Sequence, residues 1–352
     1  MFLYANNLYL EDVELIANAD LPWDKLQNKS ILLSGATGLL GSFLVDVLMQ
    51  KDTKGLNCTV YALGRSRQKA EKRFSQWLEN RNLIFLPCDV NKPFAGVPVE
   101  TVDYVLHLAS NTHPMQYSTD PIGTISTNII GLQNMLEFAV SHKAARFAYA
   151  SSNEVYGENR GDVDLFEESY CGYIDSNTLR AGYPESKRCG EALCQAYKAQ
   201  KGLDVVIPRF TRSYGPTMQL SDTKAISQFI RKAINGEDIV LKSAGTQNYS
   251  YTYMADAVYG LLTIVLNGKD GEAYNIADEA SNITLRELAN AIAREVGMKV
   301  IIDTPSSIEA AGYSKATKAL LDGNKLKGLG WKPFYSIKTG IPRTIRILKT
   351  ME

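Results

Sequence analysis

Two stretches of this 352-residue chain place reactive residue types at spacings that chemistry can use. In Tyr183-Pro184-Glu185-Ser186-Lys187 the tyrosine and the lysine stand four apart, so on a helix they share one face, and Pro184 suits a first helical turn. A free tyrosine, with a pKa of about 10, is a poor base at neutral pH. An ammonium beside it, helped by the positive nicotinamide ring of a cofactor, lowers that value and lets the phenolate take a hydroxyl proton as hydride leaves. The second stretch is Ser34-Gly35-Ala36-Thr37-Gly38-Leu39-Leu40-Gly41, which follows an apolar run (Ile31, Leu32, Leu33) and opens into a helical pattern (Leu40, Phe43, Leu44, Val47, Leu48). A strand, a glycine turn and a helix N-terminus in that order make a seat for a diphosphate, because the backbone can come close and the unpaired N–H groups and helix dipole favour negative charge. A glycine turn without that context would be a tight structural turn. The spacing here is GxxGxxG, not GxGxxG.

Both stretches need a scaffold, and the hydrophobic pattern supplies one. Candidate strands at 30–34, 58–63, 83–87, 103–107, 146–151 and 204–209 alternate with helical segments near 40–50, 67–79, 121–142 and 184–200. Short apolar runs alternating with helices predict a parallel sheet covered on both faces, an α/β doubly wound Rossmann fold. After Arg209 the alternation breaks. Turns surround one amphipathic helix at about 223–235, a helix (254–267) and a strand (272–277) return to the sheet, and 284–297 and 299–303 read as a helix and a short strand. The organisation expected is an N-terminal arm (1–28), a dinucleotide-binding domain (29–211, completed by about 246–277) and a smaller C-terminal substrate lobe (212–245 and 278–352). The long loop 157–182 precedes the Tyr183 motif, where loops of such sheets shape ligand sites.

Composition narrows the function classes. Basic and acidic residues balance at 38 each, so no global field attracts nucleic acid or an anionic membrane, and an anionic ligand must be held by local groups. Five scattered cysteines without CxxC spacing argue against a disulfide framework and a zinc site, and read as reduced thiols of a cytoplasmic protein. No window approaches the ~18 apolar residues of a membrane span, and Glu11, Asp12, Glu14 and Asp20 stand where an export signal would be basic and then apolar. Three separated histidines make no metal cluster. His107 reads as structural, His142 as a helix-end residue, and His113 lies in a loop where it can meet a ligand.

The second strand ends in Gly64-Arg65-Ser66-Arg67 and lacks the acid that normally binds the ribose 2′-hydroxyl of NAD. A guanidinium there suits a 2′-phosphate, so the cofactor reads as NAD(P), with NADP preferred to NAD. Asp89-Val90, after the third strand, is placed either to contact adenine or to cap a turn.

Taken together, GxxGxxG, His107-Leu108-Ala109-Ser110, the strand-end serines, YxxxK and Arg209-x-x-x-x-Tyr214-Gly215-Pro216 resemble the extended short-chain dehydrogenase/reductase family, the nucleotide-sugar epimerases, dehydratases and decarboxylases. The resemblance covers about residues 29–345. It implies a tightly held dinucleotide that takes a hydride from C4 of a nucleotide-linked sugar and later returns it. On that reading Ser152 bonds the 4-hydroxyl, Tyr183 is the base and Lys187 binds the nicotinamide ribose. The cofactor would be bordered by Gly35, Thr37, Gly38, Leu39, Leu40, Gly41, Arg65, Asp89, Val90, Leu108, Ala109 and Ser110, together with Tyr183 and Lys187. Asn111, His113, Asn153, Arg212 and Tyr249 would meet the substrate. Within the family, small residues in the 4-epimerases stand where this chain has Asn153-Glu154, whereas the 4,6-dehydratases carry Asp-Glu and the UDP-glucuronate decarboxylases Ser-Glu. A carboxylate at Glu154 therefore points to dehydration or decarboxylation ahead of 4-epimerisation, since a 4-ketone acidifies the C5 proton and a nearby base can act there; a backbone-bonded structural carboxylate is the alternative.

The segments Asp120–Leu136 and Arg180–Arg188 look most like the decarboxylases, and both lie on helices that form a homodimer interface in the family. The apolar stripe Ile129, Leu132, Met135, Leu136 and Ala139 reads equally as interface or as core. Two positions depart from the family pattern. Arg212 stands where an asparagine contacts the substrate phosphates, and Tyr249 where an arginine binds the diphosphate. Either Arg212 supplies the phosphate charge from the other side, or the substrate is not a standard UDP-sugar. The rivals kept open are an NADPH-dependent keto-sugar reductase and a non-catalytic dinucleotide sensor.

Overall fold

The structure is a computed structural model that describes residues 3–94, 97–99, 101–219, 221–313 and 316–351. Its first strands are β1 (Ser30–Ser34), β2 (Thr59–Gly64), β3 (Leu83–Pro87), β4 (Tyr104–His107), β5 (Arg146–Tyr149), β6 (Ser151–Ser152) and β7 (Val205–Phe210). With Ala273–Ile276 they form one parallel sheet in the order Ala273–Ile276, β7, β5, β4, β1, β2, β3, with β6 paired to β7. Every residue of β1 is buried, as expected of a strand with helices on both faces. Chain order reverses between β1 and β4, so a crevice opens beyond the carboxyl ends of these two strands. The expected strand 146–151 is divided: β5 ends at Tyr149, and Ser151–Ser152 shifts its pairing to β7, in register with Arg209 and Phe210. Of these two residues, Ser152 faces Tyr183 and Ser151 bonds Glu191.

Two helices differ from the pattern reading. The segment read as 67–79 ends as an α-helix at Arg73 and continues as a tight turn over Ser75–Trp77, because Trp77 turns inward to donate to the buried Asp46 carboxylate. The segment read as 121–142 contains one π-helical turn, Thr127–Gly131. Leu132, Met135, Leu136 and Ala139 lie in the core, whereas Ile122, Ile125 and Ile130 are the apolar side chains that this segment exposes. The stripe read from the sequence is therefore mostly core, and the exposed apolar face is a different set of residues.

Beyond β7 the chain builds a second, smaller sheet. Asn248–Tyr253 sits at its centre, antiparallel to Asn282–Thr284 and parallel to Lys318–Ala319 and Arg212–Tyr214. Asn248–Tyr253, expected with the large sheet, thus pairs within the smaller one, and the return to the large sheet runs through the helix Met254–Asn267 and the strand Ala273–Ile276. Ile239–Leu241 and Val300–Ile302 form a further parallel pair.

The N-terminal arm does more than cover the outside. Its helix Asn7–Ala17, capped by Asn6, buries Tyr9, Val13 and Ile16. The fully buried Asp12 carboxylate accepts from Tyr253 Oη (2.6 Å), Tyr335 Oη (2.7 Å) and Arg343 Nε (2.8 Å), tying the arm to the smaller sheet and to the C-terminal helix Ile337–Lys349. Removing one partner of a buried, hydrogen-bonded charge leaves the others unsatisfied. Asp12→Ala is therefore expected to lower unfolding stability by about 3 kcal/mol, read as a fall in urea midpoint with an unchanged slope.

Candidate active site

The glycine turn after β1 is shaped to receive an anion. Gly35 has φ +72°, and a Cβ there would lie 2.8 Å from Ala109 N, so only glycine lets the loops after β1 and β4 come this close. The helix Leu39–Asp52 begins at Gly38, which offers no side-chain cap, and its first N–H groups face the crevice unblocked. These features fit the diphosphate of a dinucleotide. Arg65 and Lys69 flank the end of β2, and Cys88, Asp89 and Val90 follow β3, all lining the same cleft. Asp89 Oδ1 also accepts from Asn91 N at 3.0 Å, so this carboxylate caps its own turn as well as bordering the cleft.

The cleft encloses about 530 Å³, within the range of small-molecule sites. Every residue singled out from the sequence lines it: the glycine turn, Leu108 to Asn111, His113, Ser152 to Glu154, Tyr183, Lys187, Arg212 and Tyr249. Tyr183 enters at the start of the helix Gly182–Lys201, with Lys187 one turn on. Lys187 Nζ donates to Ala150 O at 2.8 Å and lies 4.8 Å from the Tyr149 ring centre and 5.9 Å from that of Tyr183. Burial pushes the Tyr183 phenol up to about 12, opposed by its hydrogen bond with Ser152, and pulls the Lys187 ammonium down to about 7. Ser152 also accepts from Glu154 N (3.2 Å), whereas Ser151 turns away to donate to Glu191 (2.5 Å). Of the two strand-end serines, Ser152 is thus the one that meets the tyrosine. His107, fully buried, shares a hydrogen bond with Ser34 Oγ at 2.8 Å, and burial lowers its pKa to about 3, so it stays neutral and structural.

Three further residues belong to the site: Tyr117, which no motif singled out, and Asn128 and Arg180, which the sequence placed in the decarboxylase-like segments without a site role. Asn128, in the π turn, accepts from Ser110 Oγ (2.7 Å) and donates to Ser186 Oγ (2.9 Å), which in turn donates to Tyr183 O (2.8 Å). This chain of bonds fixes the Tyr183 helix against the loop after β4. Tyr117 stacks on Tyr183, with ring centres 4.7 Å apart and planes at 26°. Arg180 lies over the Tyr117 ring at 4.8 Å and pairs with Glu154 at 2.8 Å. Glu154 is therefore held by a side-chain cation, and the backbone-bonded alternative does not describe its carboxylate. Across the cleft, His113 Nδ1 and Lys224 Nζ both approach Asp222, at 3.1 and 2.9 Å. Arg212 stacks on Tyr249, with its guanidinium 3.4 Å from the ring centre.

Chemically, the arrangement sets a phenol, a hydroxyl and an ammonium around one point beside a dinucleotide seat. A nicotinamide dinucleotide in that seat supplies a hydride acceptor. Ser152 and Tyr183 can hold a substrate hydroxyl, Tyr183 can take its proton, and the Lys187 ammonium, when charged, stabilises the phenolate.

Comparison with known proteins agrees with this architecture. The family model described as "NAD dependent epimerase/dehydratase family" matches residues 31–277. UDP-glucuronic acid decarboxylase 3 of Arabidopsis thaliana is 31% identical over 321 residues, 90% of this chain and 87% of that protein. UDP-glucuronic acid decarboxylase 1 of Xenopus tropicalis is 32% identical, over 91% of this chain and 72% of its own. Among solved structures, the dTDP-glucose 4,6-dehydratase DesIV of Streptomyces venezuelae, a double mutant with NAD and DAU bound, superposes with a TM-score of 0.77 at 25% identity, covering 90% of this chain and 96% of that one. The UDP-glucuronic acid 4-epimerase of Bacillus cereus, in complex with UDP-glucuronic acid and NAD, shares the fold with a TM-score of 0.78 at 21% identity, over 92% of this chain and all of that one. With the dinucleotide seat, the Ser152–Tyr183–Lys187 arrangement and the matched family model in agreement, the chain belongs to the NAD-dependent epimerase/dehydratase family.

Proposed function

We propose that the protein modifies a nucleotide-activated sugar through a transient 4-keto intermediate, holding its dinucleotide throughout, and that the reaction is dehydration or decarboxylation in preference to simple 4-epimerisation. The observation that carries this is Glu154 beside Ser152 and Tyr183 at the strand ends. Ser152 positions the 4-hydroxyl and Tyr183 takes its proton. Lys187 binds the nicotinamide ribose and supports the phenolate, and the Glu154 carboxylate lies where it can act once the ketone has acidified the neighbouring carbon. The glycine turn, Asp89, Val90 and Leu108 to Ser110 hold the cofactor; Asn111, His113, Asn153, Arg212 and Tyr249 meet the substrate. Relatives named as decarboxylases at 31–32% identity support the lyase reading. Incubation of the dinucleotide-loaded protein with a panel of nucleotide sugars is expected to give a product lighter by water or by carbon dioxide in mass detection. Tyr183→Phe is expected to slow that turnover about a thousandfold with substrate affinity retained. An isomer of unchanged mass would make the enzyme an epimerase. No turnover, with Tyr183→Phe equal to wild type in binding and stability, would leave only a dinucleotide sensor.

NADP is the finer assignment of the cofactor, supported by Arg65 and Lys69, which line the cleft at the end of β2, where the sequence Gly64-Arg65-Ser66-Arg67 carries no acid. The solved neighbours hold NAD, so the two cofactors must be compared directly. Arg65→Ala is expected to weaken NADP binding about tenfold while leaving NAD binding almost unchanged; equal losses for both would assign NAD. A dinucleotide that survives desalting supports internal redox, whereas reversible NADPH binding supports a reductase.

We place the protein in the cytoplasm as a homodimer. Five unpaired thiols support the first, and among the described residues no helix is long and apolar enough to cross a membrane. Ile122, 78% exposed, with the exposed Ile125 and Ile130 on the same helical segment and Leu179 just before the Tyr183 helix, supports the second. Light scattering is expected to give twice the chain mass for the wild type and a shift toward the single-chain mass for Ile122→Asp.

A further inference from the structure

Tyr183 is one of a pair of phenols. Its ring stacks on that of Tyr117, with centres 4.7 Å apart and planes at 26°, and both side chains are buried. The Tyr183 hydroxyl has two hydrogen-bonding neighbours, Ser152 and the Tyr117 hydroxyl, and each favours its ionised form. Ser152 has a substrate hydroxyl to position, so Tyr117 is the neighbour to which the mechanism gives no part. Two features suit it to donate. Burial, followed by the charges of Tyr183 and Glu154, pushes the Tyr117 phenol well above its ordinary value, so it keeps its own proton while Tyr183 exchanges one. The Arg180 guanidinium lies over the Tyr117 ring at 4.8 Å, and its Nε and Nη1 are buried with no acceptor among the described residues. A cation against the π face draws on the electrons of the ring, which makes the O–H a stronger donor.

The position of Tyr117 is fixed from a distant part of the chain. It sits on the helix Pro114–Thr119, whose six residues are too few to hold a helix alone in water. The segment 222–224 clasps the start of that helix. Met115 N donates to Thr223 Oγ1 (3.3 Å), Lys224 Nζ donates to Thr112 Oγ1 (3.1 Å), and His113 Nδ1 lies 3.1 Å from Asp222.

We propose that Tyr117 is a positioning residue of the reaction, a second phenol that aligns the Tyr183 ring by stacking and donates a hydrogen bond to the Tyr183 phenolate oxygen. The substrate proton passes to Tyr183, and Tyr117 retains its own. This role rests on Tyr183 being the base, as in the function proposed above. Other titratable groups around the pair are Glu154 after β6, Arg180 ahead of the Tyr183 helix, Lys187 within it, Tyr149 at the end of β5, and Asp222 on the side of Tyr117. A substitution that removes only the Tyr117 hydroxyl leaves all of these in place, and Tyr117→Phe does so while keeping the ring.

The test reads Tyr183 directly. Protein loaded with NAD is titrated with base while tyrosinate absorbance is followed, and subtracting the curve of Tyr183→Phe cancels the remaining tyrosines. Repeating the pair of titrations with Tyr117→Phe in both proteins is expected to move the Tyr183 ionisation up by about one pH unit. With whichever nucleotide sugar is turned over, kcat/KM rises with pH as Tyr183 ionises. In Tyr117→Phe that rise should shift upward to match, giving a rate about tenfold lower at neutral pH that recovers at high pH. Tyr117→Leu, which also removes the stack, should stay slower than Tyr117→Phe even there. Coincident titrations, or a Tyr117→Phe rate reduced by one factor at every pH, overturn the proposal and leave Tyr117 as packing or a substrate contact. A displaced titration without turnover of any nucleotide sugar upholds the phenol pair and removes the nucleotide-sugar reading.

Discussion

The site depends on one close approach of backbone to backbone, that of Gly35 to Leu108 and Ala109. A Cβ at Gly35 would fall 2.8 Å from Ala109 N and from Leu108 C, and the residue has φ +72°. The loops after β1 and β4 are thereby drawn together at the point where strand order reverses, which opens the crevice on the carboxyl side of the sheet. From this contact the rest is placed by covalent and hydrogen-bonded links. The loop after β4 carries Ser110, which bonds Asn128, which bonds Ser186 at the base of the Tyr183 turn. One run of bonds therefore sets both the floor of the dinucleotide seat and the position of the phenol above it. The π turn that brings Asn128 to this place is the irregularity the run requires, and such turns often mark functional positions.

Around that frame the cleft is built from buried charges whose pairing is nearly complete. Asp222 takes His113 and Lys224, Glu154 takes Arg180, and Glu191 takes Arg209 behind the serines. Buried ion pairs of this kind do little for net stability, since desolvation offsets their attraction. Their contribution here is orientation: they hold polar groups in a cavity that packing alone would close. Tyr183 is at the centre of this arrangement, stacked on Tyr117 on one side and faced by Lys187 on the other. Burial disfavours both the phenolate and the ammonium.

Much of this was legible in the sequence because it is local. Strand and helix periodicity identified the elements of the large sheet, the glycine spacing fixed the turn, and an i, i+4 pair on a helix put Tyr183 and Lys187 on one face whatever the rest of the chain did. The Arg212–Tyr249 stack brings together the two positions that depart from the family pattern, and neither departure by itself indicates that the two would meet. Tyr117 carried no motif, and Asn128 and Arg180 stood in family-like segments that gave them no site role. Their importance comes from contacts across 26 to 66 residues of chain, to Glu154, Tyr183 and Ser186, and no periodicity encodes such distances.

The same distinction explains the differences in fold. Asn248–Tyr253 has the composition of a buried strand, and composition does not say which sheet will take it. Its pairing with Arg212–Tyr214 was decided by where the chain emerges from β7. The apolar residues at 129–139 fit a core and an interface equally, and only packing assigned four of the five to the core while leaving Ile122 and Ile130 outside. The sequence alone determined the fold class, the glycine turn after β1 and the shared face of Tyr183 and Lys187, because each follows from dihedral preference and side-chain period within a few residues. Tertiary structure decided which charges remain unpaired in the cleft, because that depends on which distant side chains arrive beside them.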